Sequence, residues 1–66
     1  MEEYQLKVVV EKAELDIKIL KLLQFIQTPS FNSSLLIEEQ TRLKKQLSIM
    51  VVYSDILAQR IAAFKP

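Results

Sequence analysis

The stretch Ser48–Phe64, SIMVVYSDILAQRIAAF, decides the fold. It holds no Gly or Pro to interrupt a helix, and it is apolar around more than one face. One stripe runs through Met50, Ser54, Leu57, Ile61 and Phe64, and a second through Ile49, Val52, Tyr53 and Ile56. A lone helix apolar on two faces is not soluble, so this one has to be covered by a partner. Upstream, Leu43 and Leu47 continue the first stripe in the same alternation of four and three residues. That periodicity predicts one long helix over about residues 35–64.

The partner within the chain is the segment from about residue 2 to residue 27, which also lacks Gly and Pro. Leu6, Val10, Ala13, Ile17 and Leu20 repeat at four–three spacing, as in a helix packed on another helix. Lys7, Glu11, Glu14, Lys18 and Lys21 form its polar stripe, and Glu14 with Lys18 is expected to pair at i, i+4. A further apolar stripe, Val8, Leu15, Ile19, Leu22 and Ile26, lies on a different face. One antiparallel partner covers one stripe only, so this helix calls for a second neighbour from outside the chain.

Between the helices, residues 28–34 (TPSFNSS) are the only break. The residue before a proline is biased away from the helical region, and the Ser and Asn cluster signals a turn. Thr28 could alternatively cap a short helical turn with Pro29 at its first position. Ser33 or Ser34 is expected to cap the second helix, with Glu38 and Glu39 in its first turns and Glu38 paired with Arg42. The prediction is an all-α chain: one domain over 1–66, an antiparallel helical hairpin assembling into a symmetric oligomeric bundle.

Composition supports assembly. A chain of 66 residues buries only about 60% of its unfolded surface, and small scaffolds compensate with disulfides, metals or oligomerisation. There is no Cys and no His, which removes disulfides and the usual zinc sites, so no metal and no cofactor are expected. The same absence excludes Cys nucleophiles and Ser–His–Asp triads, and the chain does not read as an enzyme. Nine basic and eight acidic residues give a net charge of +1, which argues against a DNA or RNA polymer as partner. The apolar runs are far shorter than the roughly 18–20 residues that span a bilayer, and MEEYQLK is not a signal peptide. A cytoplasmic protein that does not engage membranes is the expectation.

Candidate binding residues fall into two groups in an antiparallel hairpin. Near the tip lie Thr28, Phe31, Asn32 and Arg42; near the open end lie Tyr4, Lys7, Gln59, Arg60 and Lys65. Arg60 is the only basic residue between Lys45 and Lys65. It reads either as a rim residue paired with a carboxylate such as Asp55, or as an anion contact whose planar fork suits phosphate. Phe31 reads either as an apolar plug or as a ring on which a base stacks, worth about 1–3 kcal/mol.

Three blocks carry a family resemblance: VVxEKAELDxKIxKLxxFI from Val8 to Ile26, a turn containing TPSF, and EEQxRLKKQLxIMxxYSxILxxRIAAF from Glu38 to Phe64. Together they resemble the bacteriophage anti-CBASS and anti-Thoeris hairpin-domain family. The turn FNSSLLIEEQ is a residue longer than usual, a departure that touches Asn32 and Arg42. The resemblance implies a non-catalytic sponge for cyclic nucleotide signals, working in the host cytoplasm as a symmetric homo-oligomer, a hexamer ahead of a dimer or tetramer. Its ligands would be cyclic di- or trinucleotides or cyclic ADP-ribose isomers, held between protomers with Arg60 and Phe31 in the contact positions. The alternative is a structural or regulatory coiled-coil module that binds a partner helix.

Overall fold

The computed structural model describes residues 1–65. Helix α1 spans Glu3–Ile26, a one-and-a-half-turn helix α2 spans Pro29–Ser34, and α3 spans Ile37–Ala62. Tyr4 meets Phe64 near one end, and Lys12 meets Ser54 further along, so α1 and α3 run antiparallel. The hairpin is a rod of 50 × 14 × 14 Å with a radius of gyration of 15.1 Å. A compact chain of this length would have about 11 Å.

Each helix end has a physical cause. At the start of α1 the Glu2 backbone N–H donates to the Gln5 side-chain oxygen at 2.9 Å, satisfying a donor the helix leaves free. The break contains helix rather than open turn, as the Thr28–Pro29 alternative anticipates: Pro29 starts α2 with its φ already helical. The Thr28 hydroxyl does not cap α2, however; it donates back to the Phe25 carbonyl at 2.6 Å. Ser33 and Ser34 lie inside α2, so the expectation that one of them caps the second helix is corrected. Leu35 and Leu36 are extended, Leu36 occupies the cap position, and α3 begins at Ile37. A leucine offers no acceptor there. The Gln40 side chain instead closes the junction by donating to the Leu35 carbonyl at 2.9 Å and the Asn32 carbonyl at 3.4 Å.

The seam between α1 and α3 is the second apolar stripe of α1 packed on the first of α3. Val8 is buried, and Leu15, Ile19, Leu22 and Ile26 are half-buried, against Leu43, Leu47, Met50, Ser54, Leu57, Ile61 and Phe64. Leu57 is 0% exposed and Phe31 1%, and no other side chain is so completely enclosed among the described residues. The stripe read first on α1 points away from α3. Leu6 remains 54% exposed and Ile17 55%, with Val10 and Leu20 similarly open. At 100° per residue this stripe sits roughly 150° from the seam, nearly opposite. Ile49, Val52, Tyr53 and Ile56 are exposed on α3 as well. The hairpin presents 5169 Å² of surface, whereas a compact monomer of its 7.7 kDa presents about 4,300 Å².

Midway along the rod the seam is polar. Lys12 Nζ donates to Asp16 Oδ2 at 2.7 Å and to Ser54 Oγ at 3.0 Å, and the Ser54 hydroxyl donates to the other Asp16 oxygen. Hydrogen bonds from Lys12, then from Ser54, hold the Asp16 carboxyl below its usual pKa of 3.8. The expected pairs fare differently. Arg42 pairs with Glu39 at 2.9 Å instead of Glu38, because the side chain of Glu39 lies one turn before it on the same face. Glu14 and Lys18 form no ion pair among the described residues.

Candidate functional site at the open end of the hairpin

Because α1 starts where α3 finishes, the first residues of α1 and the residues that close α3 converge on one concavity. A cavity of about 610 Å³ is lined by Glu2, Tyr4, Gln5, Arg60, Ala63, Phe64 and Lys65. A neighbouring one of about 430 Å³ shares Glu2, Gln5, Phe64 and Lys65 and adds Met1. The Tyr4 and Phe64 rings meet edge to face, with centroids 6.0 Å apart and planes at 78°. That packing holds an aromatic wall in a defined position next to the cations.

Arg60 stands in the last turn of α3, where a cation is favoured by the negative end of the helix dipole. Asp55, a candidate partner in sequence, is taken by Gln59, whose side-chain amide donates to it at 2.8 Å. Arg60 and Lys65 carry no ion pair among the described residues, and Glu2 is the one carboxylate on the concavity. An arginine whose donors meet no partner among the described residues, beside a lysine and two aromatic rings, suits a ligand that combines negative charge with a flat ring.

The remaining candidates are placed elsewhere. Lys7 lies on the outer face of α1, 3.6 Å from Glu3, along a shallow groove of about 390 Å³ lined also by Leu6, Val10, Glu11 and Glu14. Gln59 is exposed but does not line the open-end concavity. At the tip, Phe31 is interior: its ring meets Phe25 edge to face at 5.6 Å, and Lys44 Nζ stands 5.7 Å from its centroid. The Phe31 ring is enclosed within the single chain, in the geometry of an apolar plug. Asn32 is exposed and contributes its carbonyl to Gln40, and Arg42 is exposed in its pair with Glu39.

Gln5, Phe64 and Lys12 are absent from the candidates drawn from sequence. Gln5 and Phe64 line the concavity, and their approach follows from antiparallel pairing, which places residues near the two chain ends side by side. Lys12 was absent from both apolar stripes, yet it occupies a seam position at four–three spacing between Val8 and Leu15. A lysine interrupting an otherwise regular apolar seam was the available signal. Among the described residues no group of His, Cys, Asp or Glu could hold a metal, and no helix is long and apolar enough to cross a membrane.

These features define an all-helical hairpin with a cationic, aromatic-walled concavity at its open end. The chain belongs to the Sequestin family, whose model matches residues 2–63. The family name denotes sequestering. Comparison with curated proteins and with solved structures gives no match.

Proposed function

We propose that this protein is a non-catalytic sponge that binds and sequesters cyclic nucleotide immune signals, so that bacterial anti-phage defence is not triggered. The observation that carries the reading is the meeting of Arg60, Lys65 and Tyr4 around one concavity. The guanidinium can chelate a phosphate, the ammonium adds charge, and the Tyr4 ring offers a surface to a base. Membership of a family named for sequestration supports the same role. Capture takes place in the host cytoplasm, and the protomers form a homo-oligomer, with a hexamer favoured. Exposed apolar stripes on both long helices support that assembly.

The test is calorimetry with cyclic dinucleotides, cyclic trinucleotides and cyclic ADP-ribose isomers, followed by chromatography of the recovered ligand. At least one class should bind and be recovered intact, and Arg60→Ala should weaken it by tenfold or more while leaving the oligomer unchanged. Absence of binding across all classes overturns the proposal, and a hydrolysed product overturns its non-catalytic part. A second reading, a coiled-coil module for a partner helix, is favoured by the outer α3 stripe of Ile49, Val52, Tyr53 and Ile56. It would leave Arg60→Ala without effect.

A further inference from the structure

The outer stripe of α1 raises the question of what covers it. Its residues, Leu6, Val10, Ala13, Ile17 and Leu20, keep the regular spacing of a helix-pairing seam, yet α3 packs on the opposite face. The protein exposes roughly 800 Å² more than a compact chain of its mass, about what one partner buries in a standard interface. The charges beside the stripe identify the partner. We infer that the stripe pairs with the same stripe of a second copy, antiparallel about a two-fold axis, in a register set by Lys7 of each copy against Glu14 of the other. This rests on the homo-oligomer proposed above and adds its surface and geometry.

The register follows from the heptad. Leu6, Ala13 and Leu20 occupy one core position and Val10 and Ile17 the other, and in antiparallel pairs these two positions face each other across the axis. The flanking positions that then meet belong to Lys7, Glu14 and Lys21. In one register Val10 packs on Ala13 and Leu6 on Ile17, each twice by symmetry, and Lys7 of each copy stands beside Glu14 of the other. A slide of one heptad one way puts Lys7 against Lys7; a slide the other way puts Glu14 against Glu14 and Lys7 against Lys21. A slide of two heptads leaves Leu6 and Val10 without partners.

The monomer leaves these groups available. Glu14 makes no hydrogen bond or ion pair among the described residues, and Lys7 has only a 3.6 Å exposed pair with Glu3. Lys7, Glu14, Leu6 and Val10 already line one groove. A parallel pair would place Ala13 on Ala13, leaving a gap, and would draw Asp16 toward Lys21 and away from Lys12 and Ser54. The antiparallel pair fills the Ala13 position with valine and leaves that network intact.

A charge-swap cycle tests the inference, read by sedimentation equilibrium at low salt. Lys7→Glu and Glu14→Lys should each raise the dissociation constant of the pair by about tenfold, since each turns two attractions into two repulsions. The double variant should return close to wild type. Because the native chain has no cysteine, mixing a Val10→Cys variant with an Ala13→Cys variant should give an oxidised heterodimer at higher yield than either alone. If the wild type assembles but the single swaps are silent and the mixture does not cross-link, this surface is wrong and the oligomer stands. If the wild type sediments as a monomer at all concentrations, both fail. Double-swap weakening equal to the sum of the singles also overturns the antiparallel register.

Discussion

Phe31→Ala separates a structural ring from a ligand-stacking one. The ring is 1% exposed, edge to face with Phe25 at 5.6 Å and beneath the Lys44 ammonium at 5.7 Å. Removing a buried phenylalanine costs about 3–5 kcal/mol through lost transfer and the cavity left behind. The pair with Phe25 adds about 0.5–1.5 kcal/mol and the exposed cation contact about 0.5–1 kcal/mol, terms that overlap with the first. Taking about 3 kcal/mol as a floor, the loss is a large share of the roughly 3–10 kcal/mol that a 66-residue chain commands. At about 4–8 °C per kcal/mol, the thermal midpoint should fall by at least about 12 °C. The assay is circular dichroism at 222 nm (a standard helix wavelength), at matched protein concentration because assembly contributes to the midpoint. Phe31→Leu should recover most of the loss by refilling the cavity. If Phe31→Ala melts within about 2 °C of wild type and instead loses ligand, the ring is a binding surface and the plug argument fails.

Two further outcomes follow from the polar contacts. Asp16 has its pKa lowered in the folded chain, so its contribution is full above 3.8 and is lost as pH falls through the depressed folded value. Acid melts should therefore show a midpoint falling below pH 3.8 that Asp16→Asn flattens, and an identical slope in that variant would refute the assignment. Gln40→Ala frees the Leu35 and Asn32 carbonyls at the junction of α2 and α3, and should cost about 1–2 kcal/mol in urea. An unchanged urea midpoint would show that water serves those carbonyls equally well.

The hairpin, its break and both pairs of stripes were legible because a 3.6-residue period survives in the letters. Which stripe of α1 faces α3 was not. Leu6, Val10, Ala13, Ile17 and Leu20 form the more uniformly apolar run, and hydrophobicity alone ranks them ahead of a seam that contains Gln5 and Lys12. The pairing depends on partners 38 and 42 residues distant, Asp16 with Ser54 and Lys12 with Ser54, which no local period encodes. At the tip, Ser33 and Ser34 carry the composition of a cap, but Pro29 nucleates helix before them and absorbs both. At the open end, Arg60 was legible as an isolated cation; its company of Tyr4, Gln5 and Phe64 required the antiparallel fold.

That ordering of stripes has a physical consequence. If apolar burial alone chose the seam, α3 would pack on the outer stripe of α1, and Lys12 would be left without Ser54. Lys12, Asp16 and Ser54 bias the choice, since the half-buried ammonium and its paired carboxylate both lose the Ser54 hydroxyl whenever α3 slides or switches face. Polar seam layers of this kind sacrifice stability for a single pairing, as a buried polar residue does in coiled coils. Replacing the layer, with Lys12→Leu and Ser54→Leu together, should keep or raise the thermal midpoint because apolar contacts take the place of desolvated polar ones. Uniqueness should be lost with it. With both faces of α1 now apolar, sedimentation velocity should resolve several assemblies where the wild type gives one. A variant that is more stable and still sediments as one species, at the wild-type position, would show that the apolar stripes carry the pairing information and that the layer is incidental.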